Sequence, residues 1–168
     1  QFDTEKNGPY YWNESIHPET RAIDLFDFEN KDEAKLSALG FGFVVPHLTD
    51  GISRGTAPLV AIGNIPSTDK TLNNDVAAFF SLHKGSSRQT YPSSQMGAIA
   101  LLKQAFIDAQ WYAASGKSPK NISMEVLANQ MKSKVFFEAH DKLEVLRISK
   151  IVKEFNVQAA IFCGGDEY

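Results

Sequence analysis

Glu138 and His140 are the residues of this 168-residue chain best placed to do chemistry. They stand two apart at the end of an apolar run, Val135, Phe136 and Phe137, that reads as a strand, so both point to the same face of the pleat. A carboxylate buried unpaired on such a strand would cost several kcal/mol, so Glu138 calls for a cation, a metal or a hydrogen-bond cluster. A carboxylate beside an imidazole can move a proton or hold a metal ion, and both residues are candidate catalytic groups. A functional Glu138 is expected near His140 or the loop of Arg54. His47 falls at the end of another strand run, the right address for a substrate-binding or acid-base group, although a hydrogen-bonded structural histidine would look the same. Arg54, in Ser53-Arg54-Gly55-Thr56, offers a guanidinium to an anionic substrate or is a turn residue at the surface. Tyr91 precedes Pro92, Ser93 and Ser94 at the start of a helix, whose amino end suits an anion; capping alone accounts for the serines.

Other chemistry is missing. His17, His47, His83 and His140 are spread out, so no self-contained zinc motif of the His-x-His or His-Glu-x-x-His type occurs. Gly164-Gly165 is too little for a phosphate loop, and there is no nucleophile elbow. The lone Cys163 excludes an internal disulfide and a cysteine metal cluster, and reads as a buried small hydrophobe.

These residues need elements to position them. Val135 to Phe137, a helical pattern over Leu143, Leu146, Ile151, Val152 and Phe155, and Val157 to Phe162 form a strand, helix, strand unit closed by Gly164, Gly165 and Asp166. The two strands are expected to be parallel neighbours with Glu138 and Gly164 at the same end. Upstream, Asp32 to Leu39 predicts a short helix stopped by Gly40, and Phe41 to Val45 a strand. Asp50-Gly51 reads as a turn. Thr56 to Ile62 and Asp75 to His83 read as strands separated by a loop over Asn64 to Asn74. Ser93 to Ala114 predicts a long helix capped by Ser93 or Ser94, with Met96, Ile99, Ala100, Leu102, Phe106, Ala109 and Tyr112 facing mostly the core. A further helix over Ser123 to Lys132 is expected, capped by Ser123. Alternating strands and helices in the second half argue for parallel α/β architecture.

Residues 1 to 31 are aromatic and polar with little period, which suggests an extended insertion or connecting segment; residues 32 to 168 carry the α/β unit. Since no helix follows the final strand, the chain is expected to be a slice of a larger α/β enzyme. The net charge of -3 with scattered signs leaves no basic stripe, so nucleic acid is not an expected partner, and no apolar run is long enough to predict a membrane span. Exposed strand edges and apolar helix faces predict self-association. Compartment is not legible.

The run from Tyr91 to Tyr112, together with Trp12 to Glu19, Asp50 to Thr56 and Val135 to Tyr168 in the same order, resembles bacterial imidazolonepropionase-like members of the amidohydrolase superfamily over nearly the whole chain. The resemblance implies a partial (β/α)8 TIM-type barrel of the metal-dependent hydrolase kind. It also implies one or two divalent metals, zinc first, and hydrolysis of a carbon-nitrogen bond in a cyclic amide or related small-molecule substrate. By the same resemblance a His-x-His pair and a late Asp would lie before Gln1 and after Tyr168. The fifth-strand ligand position is Glu138 in place of His, and the sixth falls near Cys163 or Gly164. Glu138 is then an unusual metal ligand or proton shuttle in the intact parent, with no tightly held metal and no activity expected of this piece alone. The other reading is a hydrolase-like scaffold that has lost its metal and serves a binding or structural role.

Overall fold

The structure, a computed structural model, describes residues 8–28 and 32–165. Five strands, β1 (Phe43–Val44), β2 (Ser53–Ala61), β3 (Thr71–Phe80), β4 (Lys134–Ala139) and β5 (Gln158–Cys163), lie in one sheet in the order of the chain. Among the described residues four α-helices accompany them: α1 (Asp32–Ala38), α2 (Gln95–Ala114), α3 (Ile122–Gln130) and α4 (Lys142–Phe155). β1, β2 and β3 form an antiparallel meander, whereas β3, β4 and β5 run parallel. The sheet is curled and unclosed, a partial (β/α)8 barrel whose parallel side is built by helical crossovers.

β4 shows how the sequence makes two faces. Val135, Phe137 and Ala139 are buried, while Phe136 and Glu138 between them are only half-buried, the period-two pattern of a strand with unlike sides. On the helix side Phe137 stacks on Phe80 at 5.3 Å, Phe106 of α2 meets Phe80 edge-on at 5.6 Å, and Phe155 of α4 meets Phe106 at 5.2 Å. Each fully buried ring contributes about 1.5–3 kcal/mol, so this cluster fixes α2 and α4 to the sheet. On the inner, concave side Phe79 stacks on Phe136 at 5.1 Å beside Ala57 and Ala77.

The described part of the first segment, residues 8–28, lies against the same core. Tyr11 and Ile16 are buried in it, and isolated bridges join Ile16 to Ser53 and Arg21 to Thr56. A bulge between Ser53 and Thr56 holds Gly55 at φ +85°, where a Cβ would stand 1.8 Å from the Thr20 carbonyl oxygen. Only glycine fits that position.

The strand, helix, strand unit of the last third lies as the pattern predicts, with Glu138 in register with Phe162. Other details differ. The strand expected over Phe41 to Val45 shrinks to two residues, and the one expected from Asp75 starts at Thr71, because the connection folds into a short 3-10 turn at Ser67–Asp69. Asn121, not Ser123, caps α3, its side chain accepting from the Met124 N–H at 3.0 Å. The Ser123 hydroxyl instead accepts from the Tyr11 N–H and donates to Glu19. Met96 on α2 and Leu143 and Leu146 on α4 are exposed, since the core takes Ala98, Leu101, Leu102, Ala105 and Phe106 of α2 and Ile148 and Ile151 of α4. Cys163 is exposed as well, in the strand that has a neighbour on one side. Asp166 lies outside the described residues.

Candidate functional site at the strand ends

Because β2 runs against β3, its first residues stand beside the last of β3, with Ser53 paired to Phe80. Arg54, the residues that follow β3 and the end of β4 therefore meet at one end of the sheet, the end where barrel folds carry their sites. Arg54 is 4% exposed and its Nη2 lies 2.6 Å from Oε2 of Glu138, which is 19% exposed. The Arg54 Nε donates to the Gly51 carbonyl at 3.1 Å, while Nη1 is buried with no hydrogen-bond partner. Glu138 thus meets the cation that its place on an apolar strand demands.

His140 Nε2 stands 3.8 Å from the same Glu138 oxygen. Its ring meets that of His83 edge-on with centroids 5.0 Å apart, and His83 Nε2 lies 2.9 Å from Oε1 of Glu144. Glu144 is the residue that sequence reasoning missed. It is 2% exposed, its N–H donates to Asp141 Oδ1 at 2.8 Å, and its carboxylate accepts from the His140 N–H at 2.7 Å and from Gln95 Nε2 at 2.5 Å. Arg147 in turn donates to Gln95 Oε1. The Asp141-x-x-Glu144 spacing of a capping box carried the signal. One carboxylate thereby fixes the first turn of α4, the start of α2 and the ring of His83.

Arg54, Glu138 and His140 come together, and His83 joins them. His47 lies on the inner face, stacked on Phe79 at 4.1 Å and edge-on to Phe162 at 6.3 Å, with Nδ1 3.1 Å from the Leu48 carbonyl. Its surroundings are aromatic. Tyr91 is engaged elsewhere: its hydroxyl donates to the Gly97 carbonyl at 3.0 Å, its ring stacks on Trp12, and its own carbonyl accepts from Asn13. Next to Arg54, Asp50 accepts hydrogen bonds from the hydroxyl and the N–H of Ser86, both at 2.7 Å. Those bonds, with smaller attractions from His17 and Arg54, hold its carboxyl below the usual range against the opposing effect of desolvation. A cavity of about 380 Å³ lined by His83, Lys84, Ser93, Ser94 and Gln95 opens beside the group.

Among the described residues no group of three or more His, Cys, Asp or Glu side chains is arranged to hold a metal ion. The one carboxylate at the end of β4 already receives a guanidinium, so these residues do not fit a resident metal on their own.

No family model matches the sequence, and no curated protein matches it. The fold is similar to the crystal structure of an amidohydrolase from Thermotoga maritima MSB8, with a TM-score of 0.76 and 19% sequence identity. That likeness covers 94% of this chain and 47% of the other, so the chain spans about half the length of the protein it matches. At such identity the likeness is one of architecture alone, and it establishes the fold of the chain as a partial α/β barrel.

Proposed function

We propose that the chain supplies the strand-end groups of an imidazolonepropionase-like hydrolase that opens a carbon-nitrogen bond of a cyclic amide or related small molecule. The observation that carries this reading is the meeting of Arg54, Glu138 and His140 at the end of the sheet where barrel enzymes do their chemistry. In it, Glu138, held in place by Arg54, takes a proton from a water whose oxygen bonds to the carbonyl carbon, His140 passes a proton to the nitrogen as the carbon-nitrogen bond breaks, and His83, steadied by Glu144, keeps the His140 ring in place. His47 and the aromatic inner face offer a flat apolar wall for a ring-shaped substrate, and Arg54 an anchor for its anionic group. Tyr91 has the weakest claim among the substrate-binding candidates, since its hydroxyl is already committed. A divalent metal, zinc first, would need donors beyond the described residues, and no step is routed through one.

The second reading, a metal-free scaffold with a binding or structural role, is favoured by the closed Arg54 and Glu138 pair. Turnover separates the two. The protein at its natural length is incubated with a panel of imidazolones, hydantoins and lactams, and ring opening is followed by absorbance and mass spectrometry. Hydrolysis that falls about a hundredfold or more in Glu138→Gln supports the enzyme. Unchanged turnover in a folded Glu138→Gln protein removes Glu138 from the site, and no turnover of any substrate leaves the scaffold.

A further inference from the structure

We propose that Arg54 is the resident cation of the strand-end site, occupying the carboxylate that a divalent ion would have to bind, so that the site is metal-independent. The inference uses the location of the site assigned above but not its being hydrolytic.

A metal site needs anionic or neutral donors that converge with lone pairs free. Among the described residues the carboxylate at the end of β4 on the inner face is Glu138, and its Oε2 takes Arg54 Nη2 at 2.6 Å. Glu144 nearby is 2% exposed and has three of its roughly four lone pairs taken by the His140 N–H, Gln95 and His83, and Asp50, next to Arg54, accepts twice from Ser86. Among the described residues that leaves the imidazoles of His140 and His83, too few to close a site. A guanidinium cannot be deprotonated in a protein, so it cannot yield its place by losing a proton. The Coulomb repulsion between a permanent cation and a divalent ion a few ångströms away in a poorly solvated site opposes metal entry further.

The bulge explains how Arg54 gets there. The extra residue between Ser53 and Thr56 turns the Arg54 side chain toward β4, and Gly55 makes the bulge possible by admitting the Thr20 carbonyl. The Gly51 carbonyl accepts from Nε and fixes the plane of the guanidinium. Nη1 remains buried without a partner, a donor left for a water molecule or an oxygen of a bound ligand.

The test is zinc titration followed by calorimetry and by thermal unfolding, on the protein at its natural length. Wild type is expected to take up no zinc tighter than about 100 µM and to shift its Tm by less than about 1 °C with either zinc or a chelator. Arg54→Met is expected to lower the Tm by roughly 5 °C or more, because Glu138 is left without its cation, and to recover part of that loss in zinc as Glu138, beside His140, becomes available. Arg54→Met combined with Glu138→Gln should lose the zinc response. If Arg54→Met does not fold, Arg54→Lys keeps a cation and is expected to stay indifferent to zinc. One equivalent of zinc bound by wild type at micromolar affinity or better overturns the proposal, as does an Arg54→Met or Arg54→Lys protein that departs from these responses. Hydrolysis that requires added zinc would overturn it while leaving the enzyme reading intact, and the absence of any hydrolysis would leave it standing.

Discussion

At Asp50 the two hydrogen bonds from Ser86 favour the charged carboxylate in the folded state, so its native pKa lies below the unfolded value of about 3.9. The stability that this lends is complete above about pH 4 and is lost as the pH falls through the lower native value. Ser86→Ala should therefore be less stable than wild type at neutral pH, with the gap closing toward pH 2; a Tm difference that stays constant across that range would count against the account. Glu144 makes a stronger demand because it is buried. Glu144→Gln turns an acceptor of several hydrogen bonds into a group that must also donate, which predicts a loss of about 2 kcal/mol in urea unfolding. The need of Glu138 for a partner was legible from one charge on an apolar strand, and the Arg54 loop was a named neighbour. The place of Glu144 was not read, because a glutamate in the first turn of a helix looks like a solvated cap until Gln95 and His83 converge on it from other elements.

Among the elements, α2 and α4 were readable to within two residues, their ends set by Ser94 accepting from Gly97 and Asp141 from Glu144, although Met96, Leu143 and Leu146 of the apolar pattern are exposed. α3 was found but its cap misassigned. Both Asn121 and Ser123 are good capping residues, and what decides is that the Ser123 hydroxyl is taken by Tyr11 and Glu19, contacts that no local pattern reveals. Asn121→Ala should cost about 1 kcal/mol by thermal or urea unfolding. Gly55→Ala should be far worse, since the Thr20 carbonyl leaves no room; a protein of near-normal Tm would mean that the bulge can relax. β1 was overestimated because an apolar run with β-branched residues predicts a strand wherever it occurs, whereas pairing depends on how much of β2 remains in reach.

For the whole molecule the parallel α/β character was legible from the order of elements, while the antiparallel meander at one side was not, since strand direction is decided by long-range packing. β5 has no neighbour beyond it among the described residues, and its sequence, Gln158 to Cys163, carries neither charge nor proline. An edge of that kind recruits other strands. Phe162, 54% exposed on it, is the side chain to change: the chain is expected to self-associate in sedimentation or light scattering and Phe162→Lys to associate less, and equal behaviour of the two would clear the edge. The stacking of Trp12 on Tyr91 has its own consequence. The chain has two tryptophans, Trp12 in the segment laid over the core and Trp111 on the open side of α2, 64% exposed. Since Trp111 meets water in the native state, its emission changes little on unfolding. Trp12, 39% exposed but stacked on Tyr91, is expected to contribute more of any shift in intrinsic fluorescence, and so to report release of the first segment from the start of α2.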